Sequence, residues 1–412
     1  MTETSLTPAE SFEAEVREFL ARELPSDWSG LGALDAASRA DFLPRWRELL
    51  WTNRFLAVGW PEEYGGRGLG IREQAWIQEE FVRVGAPLTP YLSDPFGINL
   101  LGPTLLTWGD DAQKEYFLPR ILSGEHRWAQ GYSEPEAGSD LFNLRTTARL
   151  DADGKWRIDG QKIWQTGGAQ ANWIFALVRT EDGVRGAKGI SMLLVPLDQP
   201  GVTVRPIRTM AGTEELSEVF FTGAEADPAH LIGGRGNGAK VAVTLLGHER
   251  AGAGALHVRY EQELARVVRL VKDIGLDTDA HIRQRIGSFT ATVASMGHLA
   301  ERSIDAAAAG APPTAASSLT KLYETEYHTE LTDFVMDVLG MAGTTRSAVE
   351  PIAELGPDPV GTPNSSDAWT TAYLMSRAAT IYGGSSQIQR TTLAERVLGL
   401  PREPRVREEK TA

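Results

Sequence analysis

Twice along this chain the spacing of its apolar residues changes. Up to about residue 122 they recur at intervals of three and four, as amphipathic helices require. From Trp128 to about residue 223 they fall in short runs divided by turn residues, as strands do. From Ala239 onward the helical spacing returns. At 412 residues the chain is too long for one simple core. The two switches therefore predict an α+β multidomain fold. An N-terminal all-α domain takes residues 1–127, a central antiparallel β domain 128–235, a C-terminal α-helical domain 236–400, and a charged tail 401–412.

Within the first domain, Phe12, Val16, Phe19 and Leu20 follow the polar start Ser5–Thr7 and predict a capped helix over 8–24. Further helices are expected over Phe42–Leu50, Ile71–Val84, Ser93–Trp108 and Asp110–Leu122. The last of these places Tyr116, Phe117, Leu118, Ile121 and Leu122 on its inner side. The glycines of Trp60–Gly70 read as a structural loop and not a phosphate cradle, because no strand precedes them and Pro61 breaks the lead-in. In the middle domain Thr146–Leu150 and Lys155–Ile158 flank Asp151–Gly154 as a hairpin. Trp173–Arg179, Ile190–Pro196, Val202–Ile207 and Val219–Thr222 have strand length, and the spacing fits a barrel or sandwich better than βαβ units. The loop Gly233–Gly238 echoes a dinucleotide fingerprint but lacks the following parallel strand and distant acid, and it has no P-loop lysine. Helices then follow over 239–273, 279–309, 314–340 and 366–398. A turn is expected at Ala308–Pro313 and a long loop at Ala342–Pro363.

Composition narrows the function classes. A net charge of −14 gives nucleic-acid binding no electrostatic support. Zero cysteines exclude disulfides, thiol nucleophiles and cysteine metal sites, and the seven histidines lack metal-ligand spacing such as HExxH. The start MTETSLTPAESFEAEVREFL has no apolar signal core, and no apolar run approaches the ~18 residues that span a bilayer. The expectation is a soluble cytoplasmic protein with no metal, nucleic-acid or membrane partner.

One acid stands out on this background. On a helix, the neighbours of Glu249 are Ala242, Leu245, Leu246, Gly252, Ala253 and Leu256, all apolar or small. A carboxylate held in apolar surroundings has its pKa raised towards neutrality, where a general base works best. On this segment alone, a structural ion pair with a distant Arg or with Arg250 is the commoner explanation.

Three more stretches bear on the choice: Tyr132-Ser133-Glu134-Pro135-Glu136-Ala137-Gly138-Ser139-Asp140, Gly160-Gln161-Lys162-Ile163-Trp164-Gln165-Thr166-Gly167-Gly168, and Ile381-Tyr382-Gly383-Gly384-Ser385-Ser386-Gln387-Ile388-Gln389-Arg390. The first two put hydroxyls, small residues and a large aromatic on loops that could hold a heteroaromatic ring. In this order, over nearly the whole length, the chain resembles the acyl-CoA dehydrogenase superfamily. The resemblance implies a central β-barrel domain between an α-helical domain and a C-terminal four-helix bundle, FAD as cofactor, and commonly a tetramer. It also implies α,β-desaturation of an acyl thioester such as acyl-CoA. A base removes the α-proton, hydride passes to flavin N5, and electrons leave to an electron-transferring flavoprotein.

Residue by residue, the resemblance places Tyr132–Ser139 along the flavin, with Ser133 near the ring and Ser139 contacting both the cofactor and the CoA moiety. It sets Trp164 against the isoalloxazine, Gln165 and Thr166 beside it, and Thr166 near N5. Ser385, Ser386 and Gln387 match positions beside FAD, Gly384 offers an N–H to the thioester carbonyl, and Arg250 matches a substrate-side arginine. Gly383 stands where many members carry the catalytic glutamate. In a subset of the family the base sits on the helix just before the arginine, and that position is Glu249. The empty place at Gly383 implies a branched or bulky acyl group. For the adenosine half of FAD the family's Arg and Gln motifs are missing: Val267–Leu276 reads VVRLVKDIGL, and Asp337 begins DVLGM at the second place. This allows a heteromeric assembly, or a partner subunit with little activity alone, beside a homotetramer. Flavin oxidases and monooxygenases of the same fold form a third class, against which Trp164 and Thr166 weigh.

Overall fold

The computed structural model describes residues 8–251, 255–310, 315–345 and 359–402, with main chain only at 8, 249–251 and 315–317. The polar start Ser5–Thr7, Gly252 and Ala253, the end of the Ala308–Pro313 turn, most of the Ala342–Pro363 loop and most of the tail lie outside the described residues.

The helices open and close on recognisable caps. Helix α1 spans Pro8–Glu23, and α2 spans Ala36–Thr52 behind Asp35, whose side chain accepts from Ser38 N at 2.8 Å. Helix α3 (Ile71–Val84) ends on left-handed Gly85. A π-helical stretch, Pro95–Leu101, runs into α4 (Gly102–Trp108). Helix α5 (Asp111–Ser123) starts on a capping box between Asp110 and Gln113. Its last carbonyls need partners, and buried Arg47 supplies them: Nη1 donates to Leu122 O at 2.9 Å and Nη2 to Ile121 O at 3.1 Å, while Nε pairs with Asp94 at 2.9 Å. Tyr116 departs from the expected inner face of α5. It is exposed, its ring packed on Phe117 and His230.

Eight strands follow: β1 (Trp128–Gly131), β2 (Thr147–Leu150), β3 (Trp156–Thr166), β4 (Trp173–Arg179), β5 (Ile190–Pro196), β6 (Val202–Ile207), β7 (Leu216–Ala226) and β8 (Leu231–Ile232). They pair in the order β6-β7-β3-β2-β4-β5-β8, with β1 beside β4. Strand β4 is buried on both faces. Trp173, Phe175 and Leu177 join the core shared with the N-terminal helices, while Ile174, Ala176 and Val178 face a second core with Val219 and Phe221. That is why β4 and β5 read as unbroken apolar runs. The mixed helix and sheet content is as expected, but the described strand pairing does not show a closed barrel. The described pairing runs from β6 to β8 without closing, and β1 and β2 pair parallel to β4. At the β8 edge the strand lasts two residues, and Gly233 and Gly234, at φ 71° and 83°, turn the chain into the next helix.

That helix, α6 (Gly238–Ala251), lies directly on the sheet: a Cβ on Gly238 would sit 2.5 Å from the Ser191 carbonyl carbon. Helices α7 (Leu256–Asp273), α8 (Ala280–Ala308), α9 (Ala315–Leu339) and α10 (Ser366–Ala379) enclose one core that includes Val267, Phe289, Leu331 and Trp369. The segment expected as a single helix over 366–398 breaks at Thr380–Ser385, and α11 (Ser386–Thr392) follows. Among the described residues no helix is long and apolar enough to cross a membrane.

Candidate active site

The chain leaves β1 at Gly131 and makes a tight turn in which Glu134 and Ala137 exchange backbone hydrogen bonds, both at 3.1 Å. Tyr132 is buried, Ser133 half-buried and Ser139 exposed. The Glu134 carboxylate points inward and accepts from Lys162 Nζ at 2.8 Å, Thr146 N at 3.0 Å and Arg145 N at 2.5 Å. Lys162, 0% exposed, also donates to Tyr132 O at 3.2 Å, and Ile163 N donates to Ser133 O at 3.0 Å. The first two of the three stretches are thus joined directly.

Burial pushes Glu134 up, but the charge of Lys162 and the donors around it bring it below the usual carboxylate range. Burial lowers Lys162 to about 8, and Glu134 keeps it from falling further. At neutral pH both are charged. The sequence places Glu134 within the flavin stretch Tyr132–Ser139 but does not pair it with Lys162. The available signal was a lysine within a strand whose alternate neighbours Trp156 and Ile158 face the core.

One residue past this pair, the β3–β7 register slips between Ile163 and Gln165, and Trp164 sits in the bulge at φ 72°. A bulky residue with positive φ is an outlier that the surroundings must enforce. The bulge turns the indole out of the sheet, where it is 57% exposed. Gln165 goes the other way. Its side chain is 1% exposed and Nε2 donates to Ile163 O at 2.8 Å, leaving Oε1 buried without a partner. Thr166 is half-buried, and the next amide, Gly167 N, donates to Glu215 O at 2.7 Å.

Helix α6 carries the candidate base. Ala242 and Leu245 are fully buried, and the main chain at Glu249 lies on the same side of the helix, four residues beyond Leu245. The side chains of Glu249 and Arg250 are outside the described residues. His248, also missed from sequence, is held below the usual histidine range by burial and has Nε2 buried without a partner. Val243 is exposed on the outer side of α6, and Trp108 Nε1 donates to Thr244 Oγ1 at 3.0 Å. Trp108, Phe142, Ala239, Lys240, Val243 and Thr244 line a cleft of ≈ 370 Å³ beside this face.

The third stretch is a turn between α10 and α11. Gly383 and Gly384 are left-handed, at φ 64° and 90°, and Gln389 Nε2 donates to their carbonyls at 3.2 and 3.4 Å. A Cβ on Gly384 would come within 2.6 Å of Gln389 Nε2. Ser385 caps α11 by accepting from Ile388 N at 3.3 Å, and Ser386 is buried with Oγ unpartnered. Gln387 is exposed. The turn is anchored to its own bundle: Lys321 donates to Ala379 O and lies 5.4 Å over the Tyr382 ring, and Arg390 pairs with Glu326 at 2.5 Å.

The features fit a flat aromatic cofactor: an indole held outward under strain, hydroxyls at loop ends, and a buried serine oxygen awaiting a partner. Sequence profiles of the acyl-CoA dehydrogenase N-terminal, middle and C-terminal domains match residues 8–125, 129–224 and 236–398. The acyl-CoA dehydrogenase IpdE1 of Mycolicibacterium smegmatis is 40% identical over 409 residues, covering 96% of this chain and 98% of its own. The solved Tcur3481-Tcur3483 steroid ACAD shares 30% identity at a TM-score of 0.78, covering 98% of this chain and 100% of its own. The ChsE4-ChsE5 complex from Mycobacterium tuberculosis shares 28% at 0.76, with the same coverage. With all three domains matched in order and the motif residues in place, the chain belongs to the acyl-CoA dehydrogenase family.

Proposed function

We propose that this enzyme is an FAD-dependent α,β-dehydrogenase of an acyl-CoA, or carrier-bound acyl, thioester with a branched or bulky acyl group. The observation that carries the reading is Trp164, a large aromatic kept outward in left-handed backbone on an otherwise paired strand. Tyr132, Ser133, Thr166, Ser385, Ser386 and Gln387 would hold the cofactor. Gln165 would contribute through its main chain, since its side chain is turned into the core. Bound FAD would supply the hydride acceptor.

The chain's own residues supply the rest. Glu249 acts as general base and takes the α-proton, from the side of α6 that Ala242 and Leu245 keep apolar. The Gly384 N–H polarises the thioester carbonyl and stabilises the charge that develops as the proton leaves. Arg250 and Ser139 orient the thioester and its carrier. The word steroid in the name of the Tcur3481-Tcur3483 relative supports a bulky substrate, as does the absence of a side chain at Gly383. An electron-transferring flavoprotein would reoxidise the cofactor in the cytoplasm. The assembly would be a tetramer built as a dimer of dimers, homomeric or heteromeric. Exposed Asp337 in the last turn of α9 favours a different polypeptide beside it, since an aspartate near a pyrophosphate repels it.

The test is to purify the chain alone and with a co-expressed partner, record the visible spectrum, and add acyl-CoA thioesters of increasing bulk without oxygen. Flavin bleaching that strengthens with acyl bulk is expected. Rapid peroxide formation in air would move the enzyme to the oxidase class, and flavin bound only in the co-expressed form would make this chain a partner subunit. In Glu249→Gln, flavin stays bound and its reduction slows by roughly 10²-fold or more; unchanged reduction kinetics would remove Glu249 as the base.

A further inference from the structure

We infer that Glu134 and Lys162 are positioning residues for the cofactor face: their buried ion pair fixes the loop Tyr132–Asp140 against β3 and holds Trp164 outward. The inference rests on the flavin reading above.

Three observations carry it. The first is expense without a packing reason. Removing an ammonium and a carboxylate from water carries a large desolvation penalty, and apolar residues of similar volume usually serve a core as well or better. Trp156 and Ile158 fill inward positions of β3 in that way, yet at Lys162 the chain places a charge that is 0% exposed.

The second is connectivity. The pair collects groups from three places in the chain: the exit of β1 through Tyr132 O at 3.2 Å, the approach to β2 through Arg145 N at 2.5 Å and Thr146 N at 3.0 Å, and β3 through Lys162 itself. The loop bearing Ser133 and the strand bearing Trp164 and Thr166 thereby share one anchor. Arg145 does not compete for Glu134 with its side chain, which pairs with Glu136 at 2.8 Å.

The third is what lies next. A non-glycine residue in left-handed backbone is strained and persists only where its neighbours over-determine it. Trp164 is flanked by Ile163, whose N–H is held by Ser133 O at 3.0 Å, and by Gln165, paired with Ser217 on β7. On the Ile163 side the restraint traces back to the ion pair one residue earlier.

The deciding variant is the double substitution Glu134→Gln with Lys162→Met. It removes both charges while the glutamine oxygen can still accept from Thr146 N. A merely structural pair replaced this way leaves FAD affinity unchanged. A positioning pair weakens FAD binding by roughly 10- to 100-fold, as loss of supporting residues commonly does, with the melting temperature of the flavin-free protein little changed. Unchanged FAD affinity and an unchanged flavin absorption band in the double variant would overturn the inference. Hydrogen exchange on the unmodified protein gives a second reading that needs no variant. The amides of Thr146 and Ile163 should be protected before FAD is added, because the anchor precedes the ligand. If they exchange freely until FAD binds, the order is ligand first and the inference fails. If the unmodified protein, with any partner, takes up no FAD, the flavin reading falls and this one with it, a result distinct from a change confined to the variant.

Discussion

Trp164 offers a test in which the usual ranking of two small residues should reverse. In ordinary strand or helix backbone, glycine is less stable than alanine by roughly 0.5–1 kcal/mol because it loses more conformational freedom on folding. At φ 72° the order changes. An L-residue in the left-handed region costs roughly 1–2 kcal/mol, whereas glycine enters it freely. Trp164→Ala and Trp164→Gly lose the same indole contacts, so their difference isolates the backbone. Taken at their mid-values, about 1.5 and 0.75 kcal/mol, the two terms leave Trp164→Gly more stable than Trp164→Ala by about 0.7 kcal/mol. With an unfolding entropy of roughly 2.1 cal/mol/K per residue, that gap moves the melting point by about 3 °C in a cooperative unit of ~100 residues and by about 1 °C across a chain of this length. Leu150, exposed on β2 with ordinary backbone, supplies the control pair, in which alanine should win. The assay is calorimetry or denaturant melting of flavin-free protein, so that cofactor binding does not enter. If glycine is the less stable choice at both positions, the strain at Trp164 is absent in solution and its assignment as a surface enforced for a ligand loses its foundation.

The remaining expectations concern acid stability and the C-terminal turn. His126 is buried against Trp173, with ring centroids 4.7 Å apart, and burial lowers it to about 4, with Glu125, Arg120 and His230 as the charges that modify it. Between that value and its ordinary 6.5 the unfolded chain binds more protons, so stability falls as the pH drops through this window, by about 2 kcal/mol at pH 5. His126→Phe keeps the aromatic packing and should lessen the loss between pH 7 and 5 in denaturant melts; an identical acid limb would refute this. Glu263, buried with His328 at 3.1 Å, is pushed up by burial but brought down to about 2 by His328 and nearby arginines. Its contribution is full above the ordinary carboxylate range and disappears as pH falls towards 2, so Glu263→Gln should be most damaging near neutrality and least below pH 4. Gly384→Ala places a Cβ 2.6 Å from Gln389 Nε2 in backbone at φ 90°. It should open the start of α11 to hydrogen exchange and slow flavin reduction, with global melting changed by no more than a few degrees; an unaltered exchange pattern would show that the turn tolerates a side chain.

The reach of sequence reasoning differs from element to element for physical reasons. Strands β4, β5 and β6 and helix α3 have the bounds that their apolar runs and flanking turns predict. Strands β3 and β7 run eleven residues each, well past the apolar cores of Lys155–Ile158 and Val219–Thr222. Their extensions, such as Asp159–Gln161, are polar, and backbone pairing with the neighbouring strand holds them in place. A periodicity count has no access to that. The break at Thr380–Ser385 escaped because Gly383 and Gly384 are tolerated within a helical pattern, and only their left-handed φ shows that they end one. The members of the Glu134–Lys162 pair stand 28 residues apart in two different motifs, and local spacing carries no sign that they meet.

By itself the sequence determined what depends on local spacing and residue chemistry. It set the order of helical, strand and helical regions and the motifs that mark the family. The tertiary structure alone decided whether the sheet closes, which face of β3 turns Trp164 outward and Gln165 inward, and which distant charges meet in the core. Those outcomes depend on register, bulges and burial. Each is set by contacts between segments far apart in the chain, and no local pattern encodes them.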